Sequence, residues 1–278
     1  MSIELPEAHI FAKQMKDALV GKKIESYDLR DIERMIKIGF IKDIPNFNDL
    51  VDRTVLNVTS RGNLIRVIFD EGINLLIGPE YGGLIRYLES GDKLPKYHLK
   101  LDFTDGTKLT IRITSMGHIG TVKDEKLDQS YMYQRDFLGG VSPIGDEFTF
   151  ERFYEFMHDN NKQTKPLFVG KEAYMVGLSN AAYQDIIYRA GIHPKRKASE
   201  LSKEELQALF EAIGAVIKER LSLGGKDQFT DIYGNSGRYV PVMGPNMKGQ
   251  DCPKCGTPIE KLAHGGGQVY LCPRCQKP

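Results

Sequence analysis

No cysteine occurs in the first 251 residues of this 278-residue chain. That absence excludes a disulfide-stapled framework there, so stability has to come from ordinary hydrophobic cores. No apolar run approaches the roughly 18 residues that a membrane span needs. The opening stretch places Glu4 and Glu7 ahead of its apolar positions, the wrong order for an export signal. A cytoplasmic protein with no membrane partner is therefore expected. An excess of one charge is missing too, since 38 Lys and Arg against 37 Asp and Glu leave a formal +1. Overall charge thus excludes nothing about partners, and neither an internal repeat nor a low-complexity tract suggests a solenoid or a disordered tail.

What is present is concentrated. All four cysteines lie in the last 27 residues, spaced Cys252-x2-Cys255-x16-Cys272-x2-Cys275. Two Cys-x-x-Cys hairpins can offer four thiolates to one tetrahedral Zn²⁺, which then supplies folding energy that so short a module cannot draw from a core. A pair of disulfides is the alternative, and the reducing compartment argues against it. Charge is uneven along the chain. Residues 1–159 hold 21 Lys/Arg against 26 Asp/Glu, whereas residues 160–278 hold 17 against 11. A basic second half ending in a zinc module suggests a polyanion partner, with an ordinary solvated surface as the plain alternative.

The apolar period changes along the chain. Ala8, Phe11, Ala12, Met15, Ala18 and Leu19 recur at helical spacing, and Gly21 is placed to end that helix. Val55–Val58, Leu64–Phe69 and Ile73–Ile77 read as short strands, followed by alternation from His98 to Phe103 and at Leu109, Ile111 and Ile113. After that the period returns to helical. The pattern predicts helices over Asp146–His158, over Ala181–Arg189 with Asn180 as N-cap, and after a Ser202-x-x-Glu205 capping box up to Gly224-Gly225. Gly234 to Gly249, rich in glycine and proline, reads as a mobile loop leading to the cysteines. The expected fold is α+β and multidomain. Residues 1–135 would form a β-sandwich with a leading helix, 136–235 a helical domain, and 236–278 a loop and zinc hairpin.

Several ordered motifs carry a resemblance. They are Glu4-Leu5-Pro6-Glu7, the segment from Leu138-Gly139 to Phe148, Thr164-Lys165-Pro166-Leu167-Phe168, Gly177-Leu178-Ser179-Asn180, Arg189-Ala190-Gly191-Ile192-His193-Pro194, and both cysteine pairs with their flanking residues. Together they resemble the formamidopyrimidine-DNA glycosylase and endonuclease VIII family over nearly the whole chain. The resemblance implies a DNA-repair protein with a helix-two-turns-helix domain, one structural zinc, and a damaged nucleotide extruded from DNA held between the domains. Damaged or abasic duplex DNA, with single-stranded DNA as a further form, is the implied partner of a nucleoid-associated monomer.

Within that resemblance Lys165 and Asn180 hold phosphates beside the lesion, as free N–H groups at a helix start also do. Glu4 matches the carboxylate that protonates the sugar ring oxygen, and Glu7 one that organises the attacking amine. The family's amine belongs to an N-terminal proline, which this chain lacks. Ile3 precedes Glu4, and with Met1 removed the free amine is that of Ser2, up to about 3.6 Å of extended chain further away. A displacement of that order can cost about 100-fold in rate.

Other positions also depart from the family pattern. Arg61-Gly62-Asn63 carries Asn63 where the family has a phosphate-binding lysine. Glu80 and Tyr81 stand where an apolar wedge fills the gap left by the flipped base, and Tyr81 can intercalate there. His118 occupies an opposite-strand contact. Gly267, with Gln268 beside it, replaces an arginine of the zinc hairpin that grips the lesion phosphates. The expected function is a base-excision glycosylase using Glu4, Glu7 and the Ser2 amine, with weak abasic-site lyase activity. The alternative is a catalytically inactive relative that binds damaged, abasic or single-stranded DNA.

Overall fold

The structure, a computed structural model, describes residues 3–37, 46–80, 82–114, 117–170 and 173–278. The chain forms two compact units, one comprising the N-terminal part through Gly139 together with Leu223–Arg238, the other Gly140–Ser222 with Tyr239–Pro278.

The first unit opens with helix α1 (Leu5–Leu19), followed by β1 (Ile24–Leu29) and the short α2 (Ile32–Lys37). Then come β2 (Val55–Arg61), β3 (Leu64–Phe69), β4 (Ile73–Gly78), β5 (Leu84–Leu88), β6 (Leu99–Phe103), β7 (Lys108–Arg112) and β8 (His118–Lys123). Two four-stranded antiparallel sheets result, ordered β1-β6-β7-β5 and β2-β3-β4-β8. Phe11, Ala12, Met15 and Leu19 of α1 join the core formed by the strands, which explains the helical spacing read at the start of the chain. Every residue of β4 is buried. Leu75 and Ile77 point into the main core, while Leu76 meets Leu64, Leu127, Met132 and Phe137 on the other face. That outer cover comes from the 3-10 turn Asp124–Gln129, from α3 (Tyr131–Tyr133) and from the π-helical turn Gln134–Leu138 that follows it.

The second unit contains α4 (Phe150–His158), α5 (Thr164–Phe168), α6 (Asn180–Arg189), α7 (Lys203–Ser222) and the hairpin β9 (Glu260–His264)–β10 (Gly267–Leu271). Its core is aromatic. Phe153 lies within 6.5 Å, centroid to centroid, of Phe148, Phe168, Tyr174 and Phe210. The expected capping box is present, with Glu205 N–H donating to Ser202 Oγ at 3.2 Å and Ser202 N–H to Glu205 Oε2 at 2.8 Å.

Three local expectations are corrected. The helix expected from Asp146 begins at Phe150, because Thr149 is its N-cap and accepts from Arg152 N–H at 3.4 Å. Phe148 instead stacks on Phe210. The N-cap of α6 is Ser179, whose hydroxyl accepts from Ala181 N–H at 3.2 Å, so Asn180 is the first helical residue. The stretch from Gly234 to Gly249 is irregular but anchored rather than loose. Tyr239 and Met243 are buried, and Val242 N–H donates to the buried Asp185 at 3.2 Å.

Candidate functional site

In the first unit, the acidic residues expected at the N-terminus meet a third group. Glu4 caps α1 and is 1% exposed, and Glu7 sits one turn along at 0%. Glu7 Oε2 accepts from Glu4 N–H at 3.2 Å, while Glu7 Oε1 accepts from the backbone N–H of Lys226 at 3.2 Å. Lys226 Nζ in turn lies 3.3 Å from Glu4 Oε2. Carboxylates are almost never buried this deeply without a partner, and here lysine supplies the compensating charge. The turn carrying Lys226 is fastened to α1. Phe229 packs edge-on against Phe11 at 4.7 Å, and Gln14 Nε2 donates to Asp231 Oδ2 at 2.8 Å.

Ile3, the residue before Glu4, is a core residue at 1% exposure. Its backbone N–H donates to Glu80 O at 2.9 Å. Ser2 and Tyr81 lie outside the described residues.

Arg61, Asn63 and Glu80 converge on the π-helical turn. Arg61 Nη1 donates to Asp136 O at 2.6 Å and to Gly139 O at 2.7 Å. Arg135 Nη2 donates to Asn63 Oδ1 at 2.7 Å, its Nη1 pairs with Glu80, and its Nε reaches Asp136 Oδ1 at 2.6 Å. Burial opposes the Arg135 charge, but bonds and charges from Asp136 and Glu80 raise its pKa above the ordinary arginine value. A guanidinium therefore adjoins Asn63, the position that lacks a lysine, and the Glu80 carboxylate is neutralised inside the unit. Sequence reading missed Arg135 because it is remote in the chain from both partners. His118 begins β8, half-buried opposite Gly78.

In the second unit the four cysteine sulfurs lie within 4.8 Å of one another. The separations are 3.8 Å for Cys252–Cys275 and 3.5 Å for both Cys255–Cys272 and Cys255–Cys275. Sulfurs at 2.3 Å from a tetrahedral Zn²⁺ stand about 3.8 Å apart, so the set fits one ion. Burial pushes the thiols of Cys272 and Cys275 up, and a cation is what allows four thiolates to share this space. The four cysteines hold one structural Zn²⁺.

This hairpin is tied to α6. Gln184 Oε1 accepts from Tyr270 N–H at 2.8 Å, and Asn180 Nδ2 donates to Gln268 O at 2.8 Å. Gln276 links Cys272 N–H at 3.0 Å to Ile192 O at 2.9 Å, and the Tyr188 hydroxyl lies 3.2 Å from Cys252 Sγ. Lys165 is 4% exposed and donates through Nζ to His264 O at 2.6 Å, with its pKa lowered by burial. The structure thus brings Lys165, Asn180 and Gln268 together around one hairpin. Two buried atoms there, Asn180 Oδ1 and His264 Nε2, have no protein hydrogen-bond partner among the described residues. Each has capacity left for a partner.

Comparison with known proteins gives a consistent result. The formamidopyrimidine-DNA glycosylase N-terminal domain matches residues 3–115, and the formamidopyrimidine-DNA glycosylase H2TH domain matches residues 139–230. The zinc finger found in FPG and IleRS matches residues 249–278. Formamidopyrimidine-DNA glycosylase of Cytobacillus firmus is 27% identical over 98% of this chain and 99% of its own length. The Roseiflexus protein of the same name is 28% identical over 99% of each chain. Lactococcus lactis Fpg, solved in complex with abasic-site-containing DNA, superposes with a TM-score of 0.83 at 21% identity, covering 99% of this chain and 100% of that one. With all three family modules present in order and full-length relatives on both sides, this chain belongs to the formamidopyrimidine-DNA glycosylase and endonuclease VIII family.

Proposed function

We propose that this chain is a base-excision DNA glycosylase that acts on damaged bases and abasic sites, with Glu4 as its proton donor and acceptor. The relatives it matches are named formamidopyrimidine-DNA glycosylases. Structures of the Lactococcus lactis protein hold DNA with an abasic site or a Fapy-dG lesion. The observation within this chain that carries the reading is the buried Glu4 carboxylate 3.3 Å from an amine. Carboxylate and amine side by side are what removal of a base and processing of the exposed sugar require: one group to form a bond at the anomeric carbon, another to move protons. Lys165, Asn180 and Gln268 are the proposed contacts to phosphate, and Arg61, Asn63, Tyr81 and His118 are further residues proposed to serve DNA binding. The place of action we propose for it is the cytoplasm, at the nucleoid. No helix among the described residues is long and apolar enough to cross a membrane.

A second reading, binding without chemistry, is favoured by one observation: the backbone nitrogen of Ile3 is a bonded peptide N–H, not an amine. Duplex oligonucleotides bearing an oxidised purine, a Fapy lesion or an abasic site separate the two readings. Release of the base or a nick at the lesion, abolished in Glu4→Gln, is the expected result. Tight binding with neither, across the panel, would leave only the second. Lys165→Ala should weaken binding equally across DNA sequences and lower the salt slope by about one; an unchanged slope would remove Lys165 from the phosphate contacts.

A further inference from the structure

The position that aligns with the family's attacking amine holds no nucleophile. Ile3 is buried, and its nitrogen is a peptide N–H spent on Glu80 O at 2.9 Å. A different amine stands at the same carboxylate. Lys226 Nζ is 3.3 Å from Glu4 Oε2, and the lysine is 8% exposed. Glu7 meanwhile holds the Lys226 backbone N–H at 3.2 Å, so the two glutamates fix both ends of one residue.

The backbone that delivers this lysine is purpose-shaped. Gly225 sits at φ +91°, where a side chain is strained, and a Cβ there would come within 2.6 Å of Phe229 and 3.3 Å of Glu7 Cγ. A Cβ on Gly237 would lie 2.3 Å from Lys226 O and 2.4 Å from Gly225 O. Only glycine at both positions lets the turn press its lysine against α1. A salt bridge buried this deeply contributes little net stability over an apolar pair. Stability alone therefore does not account for an amine at this point, beside a carboxylate that the chemistry needs.

We propose that Lys226 is a catalytic amine of this protein and forms an imine with the aldehyde of an abasic deoxyribose, with Glu4 as its proton partner. The proposal rests on the glycosylase reading above. In the first step the Lys226 ammonium gives a proton to Glu4, which exposes the nitrogen lone pair. Nitrogen then bonds to C1′ of the open-chain sugar while the carbonyl π electrons move to oxygen. Within the adduct a proton passes from nitrogen to that oxygen. Glu4 returns its proton to the resulting hydroxyl, the C–O bond breaks, and water leaves. The product is a protonated imine between Lys226 and C1′, with Glu4 again a carboxylate. No oxidant, reductant or metal is needed, and the imine makes the C2′ protons acidic enough for strand cleavage to follow.

The test is borohydride trapping on the full-length, zinc-loaded protein with a duplex holding a single abasic site. Hydride adds to the imine carbon and leaves a stable secondary amine, whose position is mapped by mass spectrometry of proteolytic fragments. The expected result is a modified Lys226, found in the unsubstituted chain so that no variant need fold. In addition, Lys226→Arg, which keeps the charge next to Glu4 but cannot form the imine, should lower trapping at least 100-fold and change abasic-DNA affinity less than threefold. An adduct mapped to the amino-terminal residue, with Lys226→Arg trapped at the unsubstituted rate, would overturn the proposal. If nothing is trapped while damaged bases are still released, Lys226 fails and the glycosylase reading survives. If neither trapping nor base release occurs although the DNA is bound, both fall.

Discussion

The zinc hairpin and the corner around Glu4 are both small polar assemblies, but they are put together in opposite ways. Four ligands of the hairpin come from 24 consecutive residues, Cys252 to Cys275, so a short stretch of chain carries the whole site. The corner needs Glu4, Glu7 and Lys226, separated by up to 222 residues. Its partners meet because Leu223–Arg238 packs with the first unit, where Phe229 and Ile232 enter the core beside Phe11. The metal site depends on an ion and on local spacing. The acidic corner depends on tertiary packing. A fault in one should therefore stay confined there, and the size of the effect should differ.

The largest effect is expected from the metal. Structural Zn²⁺ contributes about 10–16 kcal/mol of apparent folding free energy in isolated finger peptides. Chelation, or Cys255→Ser, should abolish hydrogen-exchange protection across β9 and β10 and depress DNA binding. Protection in β2 to β8 should remain, and a simultaneous loss there would break the contrast. Next in size is Glu4→Gln. It leaves the Lys226 ammonium buried without its carboxylate, a loss of about 3 kcal/mol or more by urea unfolding. Base release should fall about 100-fold or more as the proton shuttle is lost. Wild-type stability with wild-type activity would show that the corner is ornamental.

A smaller effect belongs to the seam between α6 and the hairpin. Gln184→Ala strands Tyr270 N–H and removes the second, side-chain bond that the Asn180 carbonyl accepts from Gln184 Nε2 at 3.0 Å. The cost should be about 1–3 kcal/mol, read as faster exchange at Tyr270 with zinc still bound. The smallest effect should be common to both units. His98 Nδ1 accepts from Ile113 N–H at 3.1 Å in the first unit, and His193 Nδ1 accepts from Lys195 N–H at 3.2 Å in the second. Burial, then neighbouring cations, lowers both pKa values below 6.5. The unfolded chain then binds these protons first as pH falls. Stability should be full above pH 6.5 and decline as pH drops through it, levelling off below the lowered folded values. Urea midpoints between pH 7.5 and 5 check this, and a rise in stability on acidification would contradict it.

Legibility followed range. The Ser202-x-x-Glu205 box, α1 and the β-rich run from Val55 to Val122 could be read because each pattern is complete within a few residues. Thr149 and Ser179 displaced the expected helix starts because several polar residues compete for a cap, and only backbone geometry chooses among them. Arg135 beside Asn63, and Gln184 as the clip on Tyr270, had no sequence signal at all, since neither lies near its partner in the chain.

The sequence by itself determined the zinc site, the family, and the presence of paired carboxylates on the first turn of a helix. Metal geometry and helical period are local constraints, and a handful of residues satisfies them. Which groups those carboxylates face was decided only by the folded chain. Hydrophobic burial of Phe229 and Ile232 carries Lys226 to Glu4, and the energy for that placement comes from a core built by residues scattered through the whole first unit.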